Sequence, residues 1–137
     1  MNEMTVDAKI ENIPVITAFV EEQLELIDCP MKAQIQISVA IDEVLNNIAS
    51  YAYGGDTGQV TVRLEIAEED RKSVHISFID TGIPYNPLER EDPDITLSAE
   101  KREIGGLGIY MVKKSMDSVE YQYENGHNIL TIKKDIS

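Results

Sequence analysis

Glu43 and Asn47 stand four residues apart within a helical pattern running from about Lys32 to Tyr53. Residues at that spacing lie one above the other on a helix face. Ile37, Ile41, Val44, Leu45, Ile48 and Ala52 form the apolar stripe of the same helix. At roughly 100° per residue, Asn47 falls about 100° from the centre of that stripe and Glu43 slightly further round. Both border the buried face, whereas Asp42 and Asn46 project to water. A carboxylate and a carboxamide at the edge of a core offer a base and a hard oxygen ligand of the kind Mg²⁺ accepts. An ordinary polar helix flank has the same spacing, so the pair alone does not decide.

Asp80 carries more information. It shares parity with Val74, Ile76 and Phe78 and so points to the apolar side of its strand. An inward carboxylate costs several kcal/mol unless something satisfies it. Thr81-Gly82 follow at once, allowing a turn and a close approach by a ligand. Asp80 can therefore accept a hydrogen bond from a ligand amine, or cap the turn after it. The run Gly105-Gly106-Leu107-Gly108 opens a third helical stretch. Exposed N–H groups and the helix dipole suit phosphate at such a start, although the same glycines can serve as a hinge. This is not a dinucleotide fingerprint, because no strand precedes it and Met111 stands where the last glycine belongs. GxxxxGK[ST] is absent. Lys101 and Arg102 are the nearest cations, placed to meet an anionic ligand or to remain a solvated pair. Cys29, beside Pro30, reads as a buried or idle thiol. His75 and His127 have no partner visible in the sequence that would make a dyad.

The elements that must position these groups follow from periodicity. Thr5–Ile10 alternates as a strand. Asn12 can cap a helix with Pro14 in its first turn, and Ile16, Phe19, Val20, Leu24 and Ile27 continue it to the Asp28-Cys29-Pro30 break. After the second helix, Gly54-Gly55-Asp56 mark a stop. Val60, Val62, Leu64 and Ile66 alternate in one strand and Val74, Ile76 and Phe78 in the next. Ile83–Arg102 is a polar, proline-bearing stretch of about 20 residues, longer than structural loops usually are and suited to a lid. Helical spacing returns at Gly108–Met116, and a hairpin around Asn125-Gly126 joins Val119–Tyr123 to Ile129–Ile132. The order β-α-α-β-β-(lid)-α-β-β indicates an α+β two-layer sandwich with helices on one face.

Composition narrows the function. The 137 residues suit one domain spanning 1–137, with 42% hydrophobic and 27% charged residues. Twelve Lys and Arg against 25 Asp and Glu give a net charge of −13, which opposes nucleic-acid binding. No apolar run reaches the ~18 residues of a membrane span. Met1-Asn2-Glu3-Met4 does not open a secretory leader. A single cysteine excludes an internal disulfide and fits a cytoplasmic setting.

Glu43-Val44-Leu45-Asn46-Asn47, Asp80-Thr81-Gly82 and Gly105-Gly106-Leu107-Gly108-Ile109 occur in one order on helix, strand end and helix start. The constellation resembles the N-box, G1 box and G2 box of the GHKL (Bergerat-fold) ATPases. In size and element order it looks most like the anti-sigma factor serine/threonine kinases of the RsbW and SpoIIAB type. The resemblance implies a histidine-kinase-like ATPase fold with a mixed sheet, ATP and Mg²⁺ as ligands, and an ATP lid at about 83–104. It makes Glu43 the general base and Asn47 the Mg²⁺ ligand. It assigns ATP binding to Asn47, Asp80, Gly82, Ile83, Lys101, Arg102, Gly105, Gly106, Leu107 and Gly108, with Asp80 taking the adenine amino group. It implies a serine on a STAS-domain anti-anti-sigma protein as phosphoacceptor, a sigma factor as second partner, and a homodimer. The alternative is a nucleotide-sensing module that sequesters a regulator without phosphorylating it. The chain departs from the family pattern at Pro84 and Ile104, each in place of a glycine, and at the start of the last strand. There Asn128 and Ile129 stand where a threonine is usual, with Thr131 nearby.

Overall fold

The computed structural model describes residues 2–53, 58–68, 71–89 and 106–136. Its elements are β1 (Asn2–Asp7), α1 (Ile13–Leu26), α2 (Met31–Tyr51), β2 (Gln59–Glu68), β3 (Lys72–Asp80), α3 (Gly106–Ser115), β4 (Ser118–Glu124) and β5 (His127–Asp135). The strands form one sheet in the order β1-β2-β3-β5-β4.

Every neighbouring pair is antiparallel, so the sheet is not the mixed one expected. Chain path explains this. Two helices separate β1 from β2, and a helix pair returns the chain to the end it left, which reverses the next strand. The single helix α3 does carry the chain from β3 to a strand running in the same direction, β4. β5 then inserts between them and pairs antiparallel with both. The two residues at the tip of its hairpin, Asn125 and Gly126, have φ of 51° and 80°. This is the left-handed pair that a two-residue turn between twisted strands requires.

One face of the sheet, with Val60, Val62, Leu64, Val74, Ile76, Phe78, Leu130 and Ile132, is buried. Against it pack Ile16, Val20 and Leu24 of α1, Ile37, Ile41 and Val44 of α2, and Val112 of α3. The opposite face is polar, with the hydroxyls of Thr5 and Thr61 2.8 Å apart and those of Ser77 and Thr131 3.0 Å apart. Two local expectations are corrected. The first strand ends at Asp7, and Ile10 lies in a short 3₁₀ turn, 60% exposed. Asn12 precedes α1 without capping it, because its amide donates instead to the carbonyl of Asp7 at 2.9 Å.

Candidate functional site

The apolar face of α2, the carboxyl end of β3 and the start of β5 enclose a pocket with about 440 Å³ of empty space, part of it open to solvent. Phe78, Leu130, Val44 and Ile109 give it an apolar interior, and its polar members are Asn47, Asp80 and Asn128. Tyr51 and Tyr85 stand with ring centroids 6.3 Å apart along its lining, both partly exposed.

Asp80 is 5% exposed, as its parity with Phe78 requires. Its Oδ1 accepts two hydrogen bonds, from the Gly82 N–H and from Asn128 Nδ2, each at 2.9 Å. The turn-capping and ligand-binding readings are therefore compatible, since the cap uses one oxygen only. Oδ2 has no protein partner among the described residues. No partnerless side-chain atom is fully buried there either, so Oδ2 is reachable from solvent.

Asn128 is the residue that sequence reasoning left unassigned. It faces Asp80 directly across the β3–β5 ladder and is 6% exposed. Its Nδ2 donates to Asp80 Oδ1, to the Ile83 carbonyl at 3.0 Å and more weakly to the Gly82 carbonyl at 3.4 Å. Its Oδ1 accepts from the Tyr85 N–H at 3.2 Å and from the Tyr121 hydroxyl. A backbone N–H can only donate and a carbonyl can only accept, so these partners fix the orientation of the amide. Thr131 is no substitute for the missing threonine, because it lies on the polar face of the sheet beside Ser77.

Gly82 is required by the chain itself. A Cβ there would lie 2.0 Å from the Ala52 carbonyl oxygen and 2.5 Å from its carbon. The adjacent Ile83 N–H donates to that same oxygen at 2.7 Å. The space of the missing side chain is thus filled by the residue that follows α2. Ile83 itself lines the pocket, 58% exposed.

Asn47 and Glu43 are both half-buried at the flank of α2, and Asp42 and Asn46 are exposed, as the helical wheel predicts. Asn47 lines the pocket. Glu43 lies one turn away against the first turn of α3, where a Cβ on Gly108 would be 2.1 Å from its Oε2. Glu43 makes no hydrogen bond or ion pair among the described residues. Gly106 begins α3 and Gly108 is its third residue, so the phosphate-suited N–H groups of that first turn stand beside this carboxylate. Lys101, Arg102 and Gly105 lie outside the described residues, as does most of the expected lid. Of Gly106 and Leu107 only the helical backbone is described. No group of three or more Asp, Glu, His or Cys that could hold a metal occurs among the described residues. Cys29 is buried, and burial pushes its thiol pKa up while Lys72 partly offsets the rise, so it stays protonated and inert.

An inward aspartate at a strand end and an asparagine on the facing helix thus line one pocket, with Ile109 of α3 beside them. Comparison with known families places this arrangement, since the model of the histidine kinase-like ATPase domain matches residues 6–134. The chain belongs to that family. Among curated relatives, the serine/threonine-protein kinase BtrW of Bordetella bronchiseptica is 28% identical over 102 residues, covering 74% of this chain and 70% of the relative. The serine-protein kinase RsbW of Bacillus cereus is 26% identical over 133 residues, covering 96% of this chain and 82% of the relative. Among solved structures, the RsbU and RsbW domains of a Mycobacterium tuberculosis protein align with a TM-score of 0.61 at 18% identity. That alignment covers 98% of this chain but 32% of the larger one. A blue-light activated histidine kinase of Erythrobacter litoralis aligns at TM-score 0.54 and 19% identity, over 80% of this chain and 32% of that one. These two likenesses support the ATPase fold alone. No described helix is long and apolar enough to cross a membrane.

Proposed function

We propose that this ATPase-family chain is a serine/threonine protein kinase that moves the γ-phosphoryl group of ATP to a serine of a STAS-domain anti-anti-sigma protein. In its other state it holds a sigma factor, so that the phosphorylation state of the partner decides which protein is bound. The observation that carries the reading is that Asp80 and Asn47 line one apolar pocket, with Glu43, one helical turn before Asn47, against the first turn of α3. The kinase names of the relatives from Bordetella and Bacillus agree with it.

In this reading Asp80 accepts from the adenine amino group through Oδ2, and the apolar interior excludes water from the ring. The first turn of α3 directs its N–H groups at phosphate oxygens, with Gly106 and Gly108 keeping side chains out of the way. Lys101 and Arg102, at the end of a lid over 83–104, add positive charge beside the transferred group. Asn47 offers one amide oxygen to Mg²⁺, a fitting donor for an ion that takes most of its other ligands from phosphate and water. When bound, the magnesium neutralises charge building on the phosphate oxygens. Glu43 accepts the proton of the attacking serine hydroxyl as its oxygen bonds to the γ-phosphorus and the bond to ADP breaks. A carboxylate free of hydrogen bonds among the described residues is available for that proton. The domain is taken as one unit over residues 1–137, working in the cytoplasm as a homodimer.

The test has two stages. Titration calorimetry with ATP, with and without Mg²⁺, should show binding that magnesium strengthens. Radiolabelled ATP and a STAS-domain protein from the same genome should then give a phosphoserine. Binding without transfer to any STAS partner would leave a nucleotide-sensing module, and no binding at millimolar ATP would end both readings.

A further inference from the structure

Gly108 is not explained by its backbone. It lies inside α3 with no positive φ, a conformation any L-residue adopts, and helix propensity favours alanine there. Apart from the helix's own backbone, the three heavy atoms nearest to a Cβ at 108 belong to one side chain. Glu43 Oε2 would be at 2.1 Å, Cδ at 2.9 Å and Cγ at 3.6 Å. Among the described residues that carboxylate has neither a hydrogen bond nor an ion pair, so the contact at Gly108 is the one that bears on its position.

We propose that Gly108 is a positioning residue for Glu43, its missing side chain forming the seat that keeps the carboxylate against the first turn of α3. The inference rests on the reading of Glu43 as the base and adds a duty to a glycine otherwise assigned to phosphate. The seat keeps a carboxylate in place without using its lone pairs, which a hydrogen-bond donor would occupy. It also makes the base depend on where α3 begins, since a shift of that turn removes the surface beneath Glu43.

Gly108→Ala is the test, and it leaves the fold intact because the obstructing atoms are the far end of a flexible side chain. In the nucleotide-free protein, the side-chain carboxyl ¹³C resonance of Glu43 should move, while those of Glu11 and Glu120 stay. Phosphate transfer to the STAS-domain protein should slow about 100-fold, the scale of a misplacement near 1 Å. Adding Glu43→Asp, one methylene shorter, should recover part of that loss, although alone it slows wild type. An unmoved Glu43 resonance, or no recovery of rate on adding Glu43→Asp, overturns the proposal. Wild-type transfer by Glu43→Gln would instead overturn the assignment of the base, with the resonance result unaffected.

Discussion

The two ends of the pocket are built in opposite ways. At the β3–β5 end, Asp80 and Asn128 are both buried, and Asn128 uses all of its hydrogen-bonding groups within the protein. Gly82 there packs on the backbone of Ala52. At the α2–α3 end, Glu43 and Asn47 are half-buried, Glu43 has no hydrogen bond among the described residues, and Gly108 packs on a movable carboxylate. The first end is a rigid socket with one oxygen left open. The second keeps its polar atoms available, as the proposed base and metal ligand require. Satisfying every group would rigidify it and remove the chemistry.

Substitution at the closed end has the largest expected effect. In Asp80→Asn, the Gly82 N–H and Asn128 Nδ2 still demand an acceptor at the Oδ1 position. The new amide nitrogen is therefore forced into the place of Oδ2, and a donor faces the base. ATP affinity should fall about a thousandfold, the range expected when a buried site meets a ligand of the wrong polarity. Inosine triphosphate, with an acceptor in place of the amino group, should lose far less. Competition calorimetry with the two nucleotides measures the ratio, and an unchanged preference would mean that the oxygen does not read the base.

At the open end the same conservative change acts on rate alone. Glu43→Gln should slow phosphate transfer by about 10²–10³-fold, within the range of general-base catalysis. ATP binding should stay near wild type, because the carboxylate makes no contact that orders the pocket. Parallel losses in affinity and rate would erase the contrast between the two ends.

Much of this contrast was legible in local spacing. The orientations of Asp42, Glu43, Asn46 and Asn47 follow from 100° per residue along one helix, and the burial of Asp80 follows from its parity with Phe78. The Asn125-Gly126 turn is equally local. Asn128 was not legible as Asp80's partner, because that contact needs the β3–β5 register between residues 48 apart in the chain. The spacing of Gly82 and Gly108 was visible, but not what fills the space of each missing Cβ, which is a helix end in one case and a carboxylate in the other. The mixed sheet failed for a similar reason. β5 inserts between two co-directional strands, and no local pattern records which strand a hairpin pairs against.

Next in size, the two glycines should separate the ends by stability. Gly82→Ala drives a Cβ into backbone atoms that cannot turn aside, and should destabilise the fold by about 2–3 kcal/mol, in the range of core overpacking. Urea denaturation followed by circular dichroism reads the difference, with Gly108→Ala as the control that loses little. Equal losses would mean that the α2 end yields as easily as a side chain.

The smallest expected effect tests whether the closed end acts as one unit. Tyr121→Phe removes the hydroxyl that donates to Asn128 Oδ1, while the Tyr85 N–H still donates to the same oxygen at 3.2 Å. The oxygen therefore keeps a partner, and the loss in stability should be about 1 kcal/mol, the net value of one hydrogen bond. The amide keeps its orientation, because its Nδ2 remains bound to Asp80 and to the Ile83 carbonyl. Affinity for ATP should accordingly fall only severalfold, about as far as one such bond allows, with the preference over inosine triphosphate unchanged. Asn128→Ala, by contrast, leaves Asp80 Oδ1 with the Gly82 N–H alone and should lower both stability and nucleotide preference. If Tyr121→Phe also abolished the preference, the orientation of Asn128 would depend on the hydroxyl of β4 rather than on the backbone after β3. The socket would then be held from its outer strand.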